Sequence, residues 1–425
     1  MSELRAPRGT KDLLPPESQI WASIEGMLRE IYKIYNYKEI RTPIFEDTAL
    51  FIRGVGDTTD IVEKEMYTFN DKGGRSITLR PEGTASVVRS YIEHKLYGAS
   101  QPLKFFYIGP MFRYERPQAG RYRQHHQTGI EVLGGDSPLI DAEVISLGLE
   151  ILKNFKLTNW RLHLNSVGFP ECRPAYTEKL ITYLSDKSGL CEDCQKRYRR
   201  NPLRTLDCKS ATCKEIIKDA PLLTNSLCIE CHDHFQKLQE YLKIYGISYE
   251  LDPFLVRGLD YYTRTAFEIK TKSSGSQNQI FGGGRYNGLA EQLGGPKSPG
   301  IGFGLGLERL FLALQEENSL EIPLAPLDVF VVTIGGDEVV AKGWEILYKL
   351  REANISADMD LLLRAPKGQM KAAGRNQAKY TVIIGEDELR ANKLLLRDMD
   401  SGEEYTLDNN EIVKFVEELE RGQEQ

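Results

Sequence analysis

The chain has 425 residues, with 55 Lys and Arg against 61 Asp and Glu and a formal net charge of −6. This length predicts roughly two to four domains, and the acidic balance excludes a global positive field that would attract a polyanion. With 41% hydrophobic and 27% charged residues, the composition is that of a globular protein rather than a disordered or collagen-like one. No apolar run approaches the roughly 18 residues of a membrane span. The polar amino terminus lacks the pattern of a signal peptide, so we expect a cytoplasmic protein without membrane partners.

The first part of the chain alternates helices with closely spaced strands. Apolar residues recur every three or four positions from Glu17 to Tyr35, which predicts an amphipathic helix. A further helix is predicted over 138–156. Strands in close succession are typical of a mostly antiparallel sheet. We predict them over 38–45, 65–69, 76–80, 103–111, 128–133 and 160–164.

The middle of the chain has a different pattern. From about Val167 to Gly246, charged helical segments dominate, cysteines concentrate and strand signals are few. We therefore predict a mostly helical insertion over 167–246. Strand patterns return at 249–255 and 266–271, followed by a glycine-dense stretch from Gly282 to Gly306.

The last hundred residues resemble a separate α/β unit. After the proline-bearing connector EIPLAP at 321–326 come strand VFVVTIG, a helix over about 337–353, helix GQMKAAGRNQA and strand YTVIIG. We predict domains over 1–325 and 326–425. The stretch from Arg364 to Arg397 contains eight basic residues and three acidic ones. This excess indicates either a local polyanion-binding patch or ordinary solvated helix faces.

The segment from Phe106 to Gly134 carries the strongest chemical signal. Several arginines lie on and beside a predicted strand-loop-strand hairpin: Arg113, Arg116, Arg121 and Arg123. Guanidinium groups are planar, bidentate donors suited to phosphate, so such a hairpin could hold a polyphosphate. The alternative is four surface arginines in a loop. Interleaved polar residues favour the binding site, because a plain hairpin needs none of them: Gln118, His125, His126 and Gln127.

Two further segments carry candidate ligands. In FLVRGLDYYTRTAFEI, Arg257 follows a predicted strand and precedes Tyr261 and Tyr262, although tyrosines also suit a strand core. In GIGFGLGLERL, glycines end where a helix begins, and Arg309 lies in its early turns. This is neither a Walker loop nor a dinucleotide fingerprint. The glycines permit close backbone approach, and Arg309 offers another phosphate ligand.

Together these segments resemble the class II aminoacyl-tRNA synthetases, specifically the histidyl-tRNA synthetase family. RTPIFE, with Pro43, resembles the first class II motif, FRYERPQAGRYRQHHQ the second and GLGLERL the third. LVRGLDYYTRTAFE and FGGGRYNGL resemble segments specific to the histidyl branch. With RGTKDLLP and LRPEGTA, the resemblance covers nearly the whole chain.

The resemblance implies an α/β (α+β) fold: a class II catalytic core built on an antiparallel sheet, with a helical insertion, and a carboxy-terminal α/β anticodon-binding domain. It implies a histidine–tRNA ligase that activates L-histidine with ATP to histidyl-adenylate and transfers it to the 3′ end of tRNA(His). It further implies a homodimer joined through the first motif, and Mg2+ accompanying the outer phosphates of ATP.

The same resemblance assigns the phosphate-binding residues. Arg113 and Arg257 are implied at the α-phosphate as the catalytic residues, with both also reaching the histidine substrate. Arg121 and Arg309 are implied at the outer phosphates of ATP. His125 stands where many relatives carry an aromatic residue that stacks on adenine; imidazole offers less area, and its protonation could matter.

The histidine and tRNA sites follow in the same way. Around the substrate's α-amino group the resemblance implies Glu82, Gly83 and Thr84. Around the imidazole it implies Gln127, Glu131, Tyr261 and Tyr262, with Glu131 and Tyr262 on its two nitrogens. Arg116 and Gln118 are implied at the tRNA acceptor end.

The cysteines pose a separate question. Cys191-x2-Cys194 and Cys228-x2-Cys231 have the spacing of a four-thiolate zinc site. Spare ligands are present at Cys208, Cys213, His232 and His234. The resemblance does not imply this metal, and single cysteines often act as small buried hydrophobes. We expect no metal there, with structural zinc as the alternative.

Two other functions remain as alternatives. One is the catalytically silent synthetase paralogue that regulates ATP phosphoribosyltransferase. That group typically lacks the carboxy-terminal domain and loses motif arginines, whereas Arg113, Arg257 and Arg309 are all present here. The other is a general RNA-binding protein, which is disfavoured because the strongest signals are a polyphosphate site and an amino-acid pocket.

Overall fold

The structure is a computed structural model that describes residues 3–56, 59–271, 279–317, 319 and 326–423. Positions 321–325 of the connector predicted from sequence lie outside these residues. The chain divides into two compact units, Met1–Ile322 and Pro323–Gln425. Among the described residues, no helix combines the length and the apolar character that a membrane crossing requires.

The first unit carries helices and strands in mixed order. Its helices are α1 Glu17–Ile34, α2 Thr48–Val55, α3 Thr84–Glu93, α4 Pro138–Asn154, α5 Arg173–Ser185, α6 Glu192–Arg200, α7 Ala211–Ile217, α8 Ile229–Ile244, α9 Leu289–Gln292 and α10 Leu307–Glu316. Its strands are β1 Lys38–Glu39, β2 Phe45–Asp47, β3 Tyr67–Asn70, β4 Ser76–Leu79, β5 Leu103–Phe112, β6 Gln124–Leu133, β7 Trp160–Ser166, β8 Glu250–Leu251, β9 Thr263–Thr271, β10 Gln279–Arg285 and β11 Gly300–Gly306.

A large sheet organises this unit. Over the described residues it has eight strands in the order β1-β5-β6-β11-β10-β9-β7-β8. Its central pairs are antiparallel, and only the short edge strands β1 and β8 run parallel to their neighbours. The mostly antiparallel sheet predicted from strand spacing is confirmed.

The two faces of this sheet differ because side chains alternate along a strand. In β11, Ile301, Phe303 and Leu305 are buried in one hydrophobic core with α1, α4 and the alternating residues Ile130 and Val132 of β6. The opposite face of β11 carries only glycines. This face is left open for polar side chains.

Proline explains two differences from the predicted strands. The run over 38–45 divides into β1 and β2, which belong to different sheets, and Pro43 lies between them. The run over 249–255 pairs only at Glu250–Leu251, just before Pro253. Proline has no N–H for a strand ladder, so it ends regular pairing.

Residues 167–246, for which sequence analysis predicted a helical insertion, contain helices α5 to α8. Helix α8 packs on the main core through Phe235, Leu238 and Leu242. Tyr176 and Leu180 of α5 belong to a second core that also contains residues of the large sheet.

The second unit is an α/β layer structure. Its elements are β12 Val329–Ile334, α11 Asp337–Glu352, β13 Ala357–Met359, α12 Pro366–Arg375, β14 Tyr380–Gly385, α13 Glu386–Ala391, β15 Lys393–Asp398, β16 Glu404–Asp408 and α14 Ile412–Gln423. In the described residues the strand order is β13-β12-β14-β15-β16. Alternate residues of β12 enter two cores, Val329 and Val331 on one face and Phe330 and Val332 on the other.

Candidate active site

A cavity of ≈ 680 Å³ lies over the glycine-rich face of the large sheet. It brings together residues that are far apart in sequence and were predicted as site residues. Those that line it are Glu82, Thr84, Arg113, Arg121, His125, Gln127, Arg257, Tyr261, Tyr262 and Arg309.

The glycines of β11 make room for two polar side chains of the neighbouring strand β6. A Cβ atom at Gly302 would lie 2.0 Å from Oε2 of Glu131, and one at Gly304 would lie 1.7 Å from Nε2 of Gln127. Both distances are impossible for real atoms. Glycine is therefore required at these positions by close approach rather than by backbone conformation.

Glu131 is fully buried and does not itself line the cavity, but its hydrogen-bond partner Thr84 does. Thr84 donates from Oγ1 to Oε1 of Glu131 over 2.6 Å, and the hydroxyl of Tyr286 donates to Oε2. Burial raises the pKa of Glu131 to about 8, against the lowering effect of these two donors. Sequence analysis did not identify Tyr286, although it lies in the quoted segment FGGGRYNGL.

Glu82 lies just before α3 and holds the start of that helix. Its carboxylate accepts hydrogen bonds from the backbone N–H of Thr84 at 2.7 Å and of Ala85 at 2.9 Å. Burial raises the pKa of Glu82 above the usual carboxyl value, while these N–H donors oppose the shift. Glu82 and Thr84 line the cavity, whereas Gly83, which lies between them in sequence, does not.

The partly buried Arg257 lies against two buried tyrosines. The rings of Tyr261 and Tyr262 lie 4.7 Å apart, and the Arg257 guanidinium lies 5.6 Å from the Tyr262 ring centre. Arg257 pairs through Nη1 with Glu268 of β9. Its buried Nε atom has no hydrogen-bond partner within the described part of the chain. Glu268 was also missed from sequence, although it ends the quoted segment LVRGLDYYTRTAFE.

Arg113 and Arg121, from the connection between β5 and β6, and Arg309, from α10, converge on the cavity. Arg113 donates from Nε to the carbonyl of Pro81 at 2.8 Å, and Arg309 from Nη1 to the carbonyl of Gln279 at 2.9 Å. Burial and the positive charges of Arg121 and Arg113 lower the pKa of Arg309, while Glu115 and Glu268 oppose the shift. Arg121 pairs through Nη1 with Oε2 of Glu115 at 3.0 Å. Guanidinium groups that lower one another's pKa in this way favour a bound anion.

His125 lies beside these arginines on β6. Burial, together with the charges of Arg113, Arg309 and His126, lowers the pKa of His125 to about 3. Its imidazole is therefore neutral at physiological pH. Sequence analysis left open whether His125 is protonated, and this pKa indicates a neutral ring when no ligand is bound.

Arg116 and Gln118 lie apart from the cavity lining, on the loop between β5 and β6. Both are exposed. The backbone of Gln118 pairs with that of Arg121, with N···O distances of 3.2 and 2.9 Å. This pairing ties the exposed loop to a residue that does line the cavity.

The cysteines do not form the four-residue site considered from their spacing. The sulfur atoms of Cys191 and Cys194 lie in one cluster, and those of Cys228 and Cys231 lie in another. His234, considered as a spare ligand, instead contacts Asp141, with its Nε2 3.2 Å from Oδ1. Sequence spacing could not separate the two pairs because their distance depends on tertiary structure.

Comparison with known proteins agrees with this geometry. A family model described as "Histidyl-tRNA synthetase" matches residues 9–310, and one described as "Anticodon binding domain" matches 328–419. The chain belongs to the histidyl-tRNA synthetase family. It is 55% identical to a histidine–tRNA ligase of Halothermothrix orenii over 99% of both chains. It is 52% identical to one of Desulforamulus reducens over 96% of this chain and 98% of the relative.

A solved structure gives the same result for the fold. The apo histidyl-tRNA synthetase of S. aureus matches with a TM-score of 0.83 and 44% identity, over 97% of this chain and 100% of that one. The predicted family and fold class are confirmed, as is the prediction of an aminoacyl-tRNA synthetase. The similar relatives bear the ligase name, so the regulatory paralogue is not favoured.

Proposed function

We propose that this chain activates L-histidine with ATP in the cavity of the first unit and then transfers it to tRNA(His). The observation that carries the proposal is that one cavity combines a group of arginines with a pocket of tyrosines, in which Thr84 joins the cavity lining to the buried carboxyl of Glu131. The arginines suit a polyphosphate. The pocket suits a small side chain with two polar atoms.

Histidine recognition is assigned to the pocket beneath the cavity. Glu131 and Tyr262 bind the two imidazole nitrogens, with Gln127 and Tyr261 beside them. Glu131 is held in place by Thr84 and Tyr286. Phenylalanine or leucine would leave these buried polar groups unpaired, a discrimination that can reach about 10⁴-fold. Glu82, with Gly83 and Thr84, receives the α-ammonium group, because a carboxylate is its natural partner.

Adenylation is assigned to the arginines. A carboxylate oxygen of histidine attacks the α-phosphorus of ATP, the bond to the bridging oxygen of the β-phosphate breaks, and pyrophosphate leaves. Arg257 and Arg113 stabilise the charge that develops at the α-phosphate, and Arg121 and Arg309 hold the outer phosphates. Because burial and existing contacts fix these groups in advance, little reorganisation is needed in the transition state.

His125 faces adenine as a neutral ring, which is consistent with stacking. Mg2+ is proposed to accompany the outer phosphates, where its charge offsets theirs. The carboxylates of Glu115 and Glu308 line the same cavity as the arginines. Mg2+ is usually held by one or two carboxylates together with substrate phosphates, so the residues present fit the ion.

Transfer to tRNA completes the reaction. The terminal ribose hydroxyl attacks the carbonyl carbon of the adenylate, and AMP leaves. Arg116 and Gln118 are proposed to guide the acceptor end because they are exposed on the loop tied to Arg121.

The region 326–425 is proposed to read the anticodon. It is supported by a row of exposed basic residues four positions apart on α12, Lys367, Lys371 and Arg375. Helix α11 adds exposed aromatic rings at Trp344 and Tyr348. Phosphate contacts give affinity, and stacking on aromatic rings suits unpaired bases.

A cytoplasmic homodimer is the proposed form of the protein. Around Pro43 and on the nearby three-stranded sheet β2-β4-β3, three large apolar side chains are strongly exposed, Ile44, Phe45 and Phe69. An exposed apolar group of this kind suits an interface between two copies. Light scattering should give twice the chain mass at micromolar concentration, and a monomer would contradict the proposal.

The overall proposal is tested by aminoacylation of a tRNA(His) transcript with each of the standard amino acids. We expect charging with histidine alone and only with ATP present. A folded protein that binds histidine and ATP without charging tRNA would contradict the ligase assignment.

A further inference from the structure

The insertion contains a compact cysteine cluster. The sulfur atoms of Cys191, Cys194, Cys208 and Cys213 all lie within 4.8 Å of one another. Cys194 and Cys213 are buried, while Cys191 and Cys208 are partly buried. All seven cysteines of the chain are free thiols in the structure. Four sulfur atoms at this separation form a ready-made ligand set rather than isolated buried residues.

The spacing of these atoms fits one zinc ion. A Zn–S bond is about 2.3 Å long, so a tetrahedral site places its sulfur atoms about 3.8 Å apart. The Sγ atoms of Cys191 and Cys208 are 3.8 Å apart. Thiolate ligands in tetrahedral geometry select zinc over hard cations such as Mg2+.

Backbone donors already point at the sulfur atoms. The N–H of Cys191 donates to Sγ of Cys213 at 3.2 Å. The N–H of Cys194 donates to the sulfur of Cys191, and the N–H of Ser210 donates to that of Cys208. Such outer contacts orient metal ligands and favour the thiolate over the thiol.

One cysteine of the cluster, Cys208, belongs to a segment that forms one wall of the active-site cavity. Asp207, Cys208 and Lys209 line that cavity. Arg204, four residues before Cys208, donates from Nη1 to the backbone carbonyl of Arg257 at 3.2 Å. A metal ion bound by all four cysteines would therefore fix the segment that contacts the backbone of Arg257.

We propose that Cys191, Cys194, Cys208 and Cys213 bind one structural zinc ion that fixes this wall. This proposal takes the alternative of structural zinc that the sequence analysis left open, with a different set of cysteines. The second cluster, Cys172, Cys228 and Cys231, offers only three ligand atoms in the described residues, and it provides the matched control. Metal content is measured independently of activity, so this proposal stands or fails separately from the function proposed above.

The first test uses the full-length wild-type protein purified from cells grown with added zinc. Elemental analysis should give about one zinc per chain after dialysis, and X-ray absorption should give four sulfur neighbours at about 2.3 Å. Wild-type protein that is active but free of metal would overturn the proposal. Nitrogen or oxygen atoms replacing sulfur in the zinc shell would overturn the ligand set.

The second test compares Cys194→Ser and Cys213→Ser with the control Cys228→Ser. The first two variants should lose at least nine tenths of the bound zinc, whereas Cys228→Ser should keep it. Zinc kept by the first two and lost by Cys228→Ser would place the metal in the other cluster and overturn the proposal. If the first two variants fail to fold, the wild-type metal content and sulfur shell still decide the question.

Discussion

Basic residues are used differently in the two units of the molecule. In the first unit, Arg113 and Arg309 reach into a cavity and are fixed by their own hydrogen bonds to backbone carbonyls. In the second unit, Lys367, Lys371 and Arg375 lie exposed along α12, and the described residues give them no ion pair. Fixed, desolvated charges suit one developing charge in a transition state. Exposed charges are screened by salt and suit a polyanion with many weak contacts.

The largest effect should come from removing a fixed charge. Arg257→Ala should lower adenylation roughly 10²- to 10³-fold, because loss of one preorganised donor at a developing charge has this size. Single-turnover formation of histidyl-adenylate measures it. Arg390→Ala, an exposed arginine of the second unit, is the control and should leave the rate unchanged. If only the histidine KM changed, Arg257 would be a binding residue. The proposed difference between the fixed charges of the first unit and the exposed charges of the second would then be weaker.

Glu131 tests how strongly the pocket desolvates its groups. Its folded pKa of about 8 lies above the ordinary carboxyl value of 4.5, so between those values the folded state holds one more proton than the unfolded state. Raising the pH through this window therefore destabilises the wild-type fold. Glu131→Gln removes this penalty. Without ligand, its unfolding temperature relative to wild type should rise from pH 5 to pH 8, as its relative free energy of unfolding rises by an amount on the order of a few kcal/mol.

The control for this pH trend is Glu240→Gln, an exposed carboxylate on α8. Its unfolding temperature should follow that of wild type at every pH. Parallel curves for both variants would mean that Glu131 is not strongly desolvated and that the pocket is wetter than the structure indicates.

Removing the second unit tests whether its exposed basic residues serve tRNA charging but not adenylation. A chain that ends near residue 324 should keep adenylation, since the cavity lining lies entirely in the first unit. Charging of tRNA should fall at least about tenfold because the phosphate contacts of the exposed basic residues are lost. Both half-reactions are assayed, with dimerisation checked by light scattering. Charging at nearly the full rate would remove the anticodon assignment.

The smallest effect is expected from single exposed charges. Lys371→Glu and Arg375→Glu together should weaken tRNA binding and flatten its dependence on salt, by about two units in the slope of log K against log salt. Filter binding over a salt series measures this slope. Glu386→Lys on α13 offers a control with the opposite change of charge. An unchanged slope in the double variant would show that α12 does not contact tRNA.

Much of the site follows from sequence because its residues lie in recognisable segments. Arg113, Arg257 and Arg309 stand in three such segments, and the structure places all three on one cavity. Glu268 and Tyr286 lie in the same segments but gained no role from sequence. Glu268 pairs with Arg257, and Tyr286 with Glu131. These pairs become neighbours only through strand pairing and turns.

The fold was predictable where periodicity was clear and less so where proline or tertiary contacts decide. Helix α4 begins at Pro138, as its pattern predicts. Pro43 and Pro253 shortened predicted strands. The sequence analysis paired Cys191-x2-Cys194 with Cys228-x2-Cys231, whereas the fold places Cys191 beside Cys208. Cys208-x4-Cys213 also has metal-ligand spacing, so this pair was open to sequence analysis. The glycines of β11 were read as permitting close approach, and Glu131 and Gln127 are the side chains that approach.

Histidine activation by the arginines and the pocket is tested most directly by ATP–pyrophosphate exchange with purified wild-type protein and each standard amino acid in turn. We expect exchange that depends on histidine and occurs with no other amino acid, because only histidine satisfies Glu131 and Tyr262 while its carboxylate meets the arginines. Exchange that proceeds without histidine, or equally well with phenylalanine, would contradict it.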